Sequence, residues 1–250
     1  KVLSVSSEGG FLSGGSFGVG QEPPSRMEKG YTIGYFRGYK TDGIFQNQAE
    51  IDAHAVQAGA QPGDIRFVDV DDDGVVEFGS EDDLAVLGNP IPDMTLGFNL
   101  NIDYKGIDFA TSLYASVGNK AARSYERFLT YSNKSRIYLD RWTGEGTSNT
   151  TPRASTNASN NYLFSDFFVE DASFLRIQNV QLGYSIPAST LEKIKMDKLR
   201  VYIAANNLYT FTKYSGYNPD VSNANPAAAG VDLGQYPQTR TFTLGINVSF

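Results

Sequence analysis

The chain has 250 residues, a formal net charge of −7, no cysteine and an aromatic content of 13%. The acidic balance, without a basic arm or lysine-rich stripe, argues against a nucleic-acid partner. The absence of cysteine excludes disulfides and thiolate metal sites. There is no apolar run of about 18 residues or more, so no transmembrane helix is predicted. This does not exclude a membrane protein built from β-strands, because such strands alternate apolar and polar residues and contain no long apolar run.

An acidic segment, Asp69-Val70-Asp71-Asp72-Asp73-Gly74, is the sharpest local motif. Carboxylates at alternate positions before a glycine can converge on one hard cation, since the glycine permits a tight turn. The predicted calcium ligands are the side chains of Asp69, Asp71, Asp73 and Glu77 and the carbonyl of Val75. Ser80 occupies the place of the closing acidic ligand of an EF-hand, and the acidic run 81–83 lies just beyond it. A solvated acidic turn without metal is the alternative interpretation.

Two apolar rows of opposite parity follow. Every even position from Met94 to Tyr104 is apolar, whereas after Lys105-Gly106 the row occupies odd positions from Ile107 to Val117. A two-residue hairpin turn at Lys105-Gly106 explains the change of parity. It predicts that Tyr104 pairs with Ile107, and Met94 with Val117, on one apolar face.

The connection from 118 to 173 is long and mostly polar, and 118–162 is predicted to be largely loop. Loops of this length are uncommon in compact domains and are usually functional. Its aromatic residues Tyr138 and Trp142 are candidate contacts to a sugar substrate or to a covering partner, with packing inside the loop as the favoured alternative. The next strands are predicted at 174–186 and 199–211. A break in the alternation at Gln178-Asn179 predicts a bulge, or a strand whose first half lies outside the membrane.

The last ten residues alternate most regularly, and a strand is predicted at 239–250. Its apolar row consists of Phe242, Leu244, Ile246, Val248 and Phe250. Ten residues span about 33 Å, or about 25 Å when tilted, which matches the apolar band of an outer-membrane barrel. If the predicted strands alternate in direction, the short connections between them all lie at one end of the sheet and the long connections all lie at the other end. This sorting favours a membrane barrel, with the apolar row facing lipid, over a soluble sandwich.

Several motifs, in this order, resemble the C-terminal part of SusC/RagA-type TonB-linked outer-membrane transporters of Bacteroidetes. They are GYKTDGIF at 38–45, PGDIRF at 62–67 before the acidic segment, LGNP at 87–90, EDASFLRIQN at 170–179, LRVY at 199–202 with NNL at 206–208, and YPQ at 236–238 before RTF. The resemblance covers nearly the whole chain. It departs from the family after Asp73-Gly74, where 78–80 looks like an insertion.

The resemblance implies an all-β fold, namely the C-terminal portion of a plugged antiparallel transmembrane barrel of about 22 strands with long extracellular loops. Residues 1–250 would then be one segment of that barrel, without the signal peptide, the plug and the first strands. The family implies import of a large nutrient, an oligosaccharide or a peptide, across the outer membrane. Its partners would be TonB and a SusD-like lipoprotein lid, and Phe250 would be recognised by the barrel-assembly machinery.

Two further classes of function are considered. The first is a soluble, secreted β-sandwich stabilised by calcium that binds glycans, because its strands alternate in the same way. The second is a glycosidase, which needs a pair of carboxylates across a cleft. No spacing in the sequence selects such a pair, so no enzyme activity and no catalytic residue are predicted.

Overall fold

The computed structural model describes residues 1–6, 10–18, 22–125, 135–155, 159–192, 195–221 and 223–250. Most of its regular structure is β-strand. The strands are β1 (Phe11–Gly14), β2 (Ser25–Glu28), β3 (Tyr35–Tyr39), β4 (Thr41–Ile44), β5 (Val56–Gln57), β6 (Ile65–Phe67), β7 (Val75–Val76), β8 (Leu84–Gly88), β9 (Met94–Tyr104), β10 (Ile107–Val117), β11 (Lys120–Arg123), β12 (Val169–Asp171), β13 (Phe174–Ser185), β14 (Lys198–Thr212), β15 (Val231–Asp232) and β16 (Thr241–Ser249). The helices are α1 (Gln48–Asp52), α2 (Ala188–Leu191) and the 3-10 helices Arg136–Asp140, Asn160–Tyr162, Asp166–Phe168 and Pro226–Ala228. Within the described ranges, no helix has the length and apolar character needed to cross a membrane.

The chain divides into two compact units. The small-sheet unit comprises Lys1–Ile91, Lys120–Glu170 and Asp220–Gln235. The meander unit comprises Pro92–Asn119, Asp171–Pro219 and Tyr236–Phe250. That residues 1–250 are the C-terminal segment of one barrel domain stays a prediction.

The meander unit is one five-stranded sheet with the order β9-β10-β13-β14-β16, in which all neighbours are antiparallel. The strand bounds predicted from the alternation are confirmed to within two residues. Among the described residues, no further strand pairs with the outer edge of β9 or of β16. An open edge leaves a row of backbone donors and acceptors available to another strand.

The hairpin between β9 and β10 has the predicted register. Tyr104 lies opposite Ile107 and Met94 lies opposite Val117. The two turn residues, Lys105 and Gly106, have φ angles of 48° and 85°. Positive φ at both central residues is typical of a type I′ turn, whose twist matches that of the flanking strands.

The predicted bulge is also present. The register between β10 and β13 shifts where Ser112 pairs with Asn179 and Leu113 pairs with Ile177, so Gln178 is skipped. The same position breaks the pairing of β13 with β14, where Asn207 adopts a φ of 51°. Asparagine tolerates the left-handed region better than most residues. The bulge keeps the apolar residues before and after it on the same face of the sheet.

One face of the meander sheet is apolar across all five strands. Directly paired residues share a face, and rows such as Ile102, Phe109, Leu182, Ile203 and Leu244 join apolar residues from strand to strand. Leu182, Ile203 and Leu244 are 49%, 53% and 76% exposed. A soluble β-sandwich would bury such a face against a second sheet, and these side chains are not buried.

The opposite face of the meander sheet is polar. Arg200 on β14 makes a bidentate pair with Asp108 on β10, with distances of 2.8 Å and 2.5 Å. The pair spans β13 at Gly183, where an added Cβ would collide with both partners. Hydrogen bonds such as Ser112 to Asn99, at 2.6 Å, continue this polar face.

The small-sheet unit has its own apolar interior, formed by two clusters. The first contains Phe17, Phe36, Ala122, Phe164, Phe168 and Val231. The second contains Tyr39, Ile44, Ile65, Phe67 and Val76. Its strands of two to five residues form a four-stranded sheet, β1-β2-β3-β8, and smaller sheets that include β12-β11-β15.

The prediction that 118–162 is largely loop is confirmed for most of its described residues, and 126–134 and 156–158 lie outside the described residues. Short regular segments interrupt the loop. Residues 120–123 form β11, which pairs in parallel with β15, and a 3-10 helix spans Arg136–Asp140. The sequence of β11, Lys-Ala-Ala-Arg, does not alternate between apolar and polar residues. One of its pairing partners, β15, lies more than a hundred residues further along the chain. Sequence periodicity reports local patterns and does not detect such pairing.

Candidate functional site

The acidic loop, residues 69–83, brings four of the predicted side-chain ligands together in two overlapping sets. Asp69, Asp71 and Asp83 form one set, and Asp71, Asp73 and Glu77 form the other, with one oxygen from each residue within 4.8 Å of the others. Two oxygens that are each about 2.4 Å from one calcium ion cannot be more than about 4.8 Å apart, so the spacing is compatible with shared coordination. Oxygen-only ligands match a hard cation.

The backbone of the acidic loop is held by its own carboxylates. Asp69 accepts a hydrogen bond from the Gly74 amide at 2.8 Å, and Asp73 accepts one from the Val75 amide at 2.9 Å. Asp72 and Gly74 adopt φ angles of 60° and 92°, in the region that glycine and aspartate enter most readily. The described contact of Val75 is the hydrogen bond that its backbone amide donates to Asp73. The carbonyl role predicted for Val75 stays a prediction.

Asp83 is the residue of this loop that sequence analysis missed. Its side chain is completely buried and accepts hydrogen bonds from the amides of Val70 and Glu77, both at 2.7 Å. The sequence signal was present in the acidic run 81–83, but EF-hand spacing places the closing ligand at Ser80. The insertion-like residues 78–80 shift the acidic run beyond that spacing.

The electrostatics of the acidic loop favour a positive partner. Partial loss of solvent, and then repulsion from Asp73, raise the pKa of both Asp71 and Glu77. One carboxylate oxygen of Asp69 and one of Glu77 are buried and have no hydrogen-bond partner among the described residues. A buried oxygen without a donor is unfavourable unless a cation or water satisfies it.

The two aromatic residues predicted as substrate or lid contacts have different surroundings. Trp142 packs against the second apolar cluster and donates its indole N–H to Gln46 at 3.2 Å. Its ring lies against Gly63, where an added Cβ would overlap it. These contacts favour the packing alternative for Trp142. Tyr138 instead lines a cavity of about 390 Å³ in the small-sheet unit. The contact role of each residue stays a prediction.

The predicted apolar row of the last strand lies on one face of β16. Phe242, Leu244, Ile246 and Val248 pair with apolar residues of β14. They are 64%, 76%, 63% and 45% exposed, and Phe250, just beyond the strand, is 82% exposed. An exposed apolar surface of this extent, continuous over five strands, marks a membrane or protein interaction surface.

Comparisons with known proteins agree with this geometry. No family model matches the chain. TonB-dependent receptor P3 of Formosa agariphila is 31% identical over 233 residues, which covers 90% of this chain and 23% of that protein. TonB-dependent receptor SusC of Bacteroides thetaiotaomicron is 31% identical over 220 residues, which covers 85% of this chain and 20% of that protein.

Among solved structures, that of the RagAB peptide transporter superposes with a TM-score of 0.70 at 24% sequence identity. The match covers 96% of this chain and 24% of the matched chain, and it shows that the two share their fold. The chain thus spans about a quarter of the length of the proteins it matches. The prediction of an all-β fold shared with transmembrane-barrel transporters is confirmed. Over 85–96% of its length, the chain is similar to a segment of TonB-dependent receptors of the SusC/RagA type, which confirms the resemblance seen in the sequence.

Proposed function

We propose that this chain is part of the wall of an outer-membrane β-barrel that imports a large nutrient. The observation that carries the proposal is the apolar face that continues across all five strands of the meander sheet. β9 and β10 each have 11 residues. Strands of this length span about 36 Å, or about 28 Å when tilted by some 40°, close to the apolar band of about 25 Å in such barrels.

The open edges of the sheet support the same proposal. Five strands are too few to close into a barrel with a lumen, so further strands must pair with the free edges of β9 and β16. In the proposed protein these strands come from the rest of the barrel. The polar face, with the pair Arg200 and Asp108, then lines the interior.

The cargo and the partners are carried over from the family. The nutrient is an oligosaccharide, with a peptide as the alternative that the name of the RagAB peptide transporter illustrates. Energy comes from TonB through the N-terminal part of the protein, since the curated relatives are TonB-dependent receptors. A SusD-like lipoprotein covers the extracellular side.

The test is a clean deletion of the gene in its Bacteroidetes-type host, with uptake measured over a panel of oligosaccharides and peptides. The proposal predicts loss of uptake for one substrate class and recovery of the protein in the outer-membrane fraction. Unchanged uptake over the whole panel contradicts the transport function. Recovery of residues 1–250 as a folded protein in water without detergent favours the soluble, calcium-stabilised β-sandwich instead.

We also propose that the acidic loop binds one structural calcium ion. The buried carboxylate oxygens of Asp69 and Glu77 without hydrogen-bond donors support this proposal. In the full-length protein, Asp71→Asn with Asp73→Asn should remove about one equivalent of calcium, measured by elemental analysis after dialysis. Asp82→Asn is the matched control, because Asp82 is exposed in the same loop and belongs to neither set of oxygens. Equal calcium content in the two variants and the wild type would rule out the site.

A further inference from the structure

We propose that the small-sheet unit contains a binding site for an acidic sugar residue, so that the imported oligosaccharide carries carboxylate or sulfate groups. This inference rests on the proposed import of an oligosaccharide and names its chemical class. The site is the cavity of about 390 Å³ next to the 3-10 helix Arg136–Asp140, which we call the arginine cavity. Its volume lies in the range of small-ligand sites, which is about 300–1,000 Å³.

Three arginines, Arg136, Arg141 and Arg153, line the arginine cavity, and none of the lining residues that the structure describes is acidic. Arginine is favoured at sites for carboxylate, sulfate and phosphate, because its planar group offers two parallel donors.

One of these arginines already has a carboxylate partner. Arg153 donates to Asp64 at 2.7 Å and 3.3 Å. Asp64 is only 4% exposed, and it also accepts from Asn161 at 2.8 Å and from the Gln61 amide at 3.0 Å. With four donors on one buried carboxylate, Asp64 has little capacity left to neutralise the other arginines.

Arg136 and Arg141 are different. Among the described residues, neither forms an ion pair with a carboxylate, and Arg141 donates only to the backbone carbonyl of Tyr138 at 3.1 Å. The nearest acidic residue in sequence, Asp140, is exposed and does not line the cavity. The arginine cavity therefore presents two positive charges that an anionic ligand can pair with.

The remaining lining fits a sugar ring. Tyr138 and Tyr162 supply aromatic surface, and Tyr162 is fixed by a hydrogen bond from its hydroxyl to the carbonyl of Ser155 at 3.1 Å. Burial raises the pKa of Tyr162 above its ordinary value of 10.0. Tyrosine combines apolar ring faces with a polar tip, which suits the apolar faces and hydroxyl rim of a pyranose.

An acidic peptide is the competing ligand, and the backbone of the site argues against it. Within the described part of the chain, none of the lining residues belongs to a β-strand. Extended peptides are commonly bound by adding a strand to a sheet edge, whose backbone groups supply the affinity. The described lining of the arginine cavity offers side chains and no such edge, so it fits a compact charged ring better than an extended chain.

The test measures binding to the full-length protein in detergent by calorimetry. The probes are an oligogalacturonate, its methyl ester of the same length, a sulfated oligosaccharide and an acidic peptide. The acidic sugar should bind at least about tenfold more tightly than its neutral ester, because charged hydrogen bonds are lost in the ester. The comparison of the uronate with the sulfated probe identifies which anionic group the site prefers.

The variant Arg136→Gln with Arg141→Gln should weaken binding of the preferred anionic probe by about tenfold or more. Tyr138→Ala gives a second, independent variant that leaves the charges in place and should also weaken binding. Arg66→Gln is the control, because Arg66 pairs with Asp42 at 3.0 Å and does not line the cavity. Equal affinity for acid and ester, unchanged affinity in both test variants, or tighter binding of the peptide would overturn the inference.

Failure of this inference is distinguishable from failure of the proposed function. If the deletion strain loses uptake of neutral oligosaccharides while the protein shows no preference for the acidic probe, transport holds and the acidic-sugar site does not. If the strain takes up every oligosaccharide and every peptide of the panel normally, the transport function itself fails, whatever the calorimetry shows.

Discussion

Replacing Leu244 by arginine should destabilise the full-length protein in a bilayer far more than replacing its neighbour Thr243 by arginine. Leu244 lies on the apolar face of β16, about one residue from the middle of the strand, and is 76% exposed. It pairs with Ile203 of β14, which is also exposed. Thr243 pairs with Ala204 on the polar face.

The magnitude follows from the position in the strand. A strand of nine residues places Leu244 near the centre of the proposed apolar band. Arginine on the lipid face near the bilayer midplane costs about 2–4 kcal/mol, which corresponds to about 30-fold to several hundredfold in the folding equilibrium. Thr243→Arg places the same side chain towards the polar interior, and we expect a cost within about 1 kcal/mol.

The assay is reversible urea unfolding in lipid vesicles, followed by tryptophan fluorescence and by the heat-modifiable migration of folded barrels. Both variants introduce the same arginine side chain into the same strand, and they differ in the face of the sheet on which it lies. Equal destabilisation by the two variants, or a larger effect of Thr243→Arg, would refute the assignment of the apolar face to lipid. In that case the face would be covered by protein.

Three further predictions test separate parts of the chain. Deletion of Phe250 should reduce the amount of folded, heat-modifiable protein in the outer membrane, and a normal level would contradict a role of this residue in assembly. Glu81 has a lowered pKa, first through the hydrogen bond from Arg26, so its stabilising contribution is present above the ordinary pKa of 4.5 and is lost as the pH falls through the lowered value. Glu81→Gln should therefore reduce stability at neutral pH by up to about 1 kcal/mol, since Glu81 is half-exposed, and the difference should vanish in unfolding curves at strongly acidic pH. Gly38→Ala should destabilise by about 1–3 kcal/mol in the same unfolding assay, because the added Cβ would lie 2.5 Å from the carbonyl oxygen of Phe164, whereas Gly97→Ala, with no atom within 4 Å, should not. Equal midpoints for the two alanine variants would show that the chain accommodates the close approach at Gly38.

The meander sheet was predictable because its determinants are local. The change of parity at Lys105-Gly106 determines both the turn and the pairing of β9 with β10, and the slip at Gln178 marks the bulge. In a strand with one apolar and one polar face, apolar residues recur at every second position, so the sequence of each strand shows which side chains share a face. Four side chains of the acidic loop were also predictable, since they lie within nine residues of one another.

The small-sheet unit and the arginine cavity were not predictable in this way. Asp64 meets Arg153 and Asn161 across 89 and 97 residues of chain, and Thr41 meets Asp166 across 125. Strands of two to five residues are too short to establish a period, and long-range side-chain contacts leave no local pattern. Asp83 was missed for a related reason, since its role comes from two backbone amides that the loop brings to it.

By itself, the sequence determined the five long strands, the register of the β9–β10 hairpin and the apolar face that we assign to lipid, because alternation is a property of neighbouring residues. Only the tertiary structure decided which polar groups meet in the small-sheet unit. There, the folded chain buries Asp64 with Arg153 and leaves Arg136 and Arg141 to line a cavity without an acidic partner among the described residues. Charges that are far apart in sequence acquire their partners only when packing brings them together.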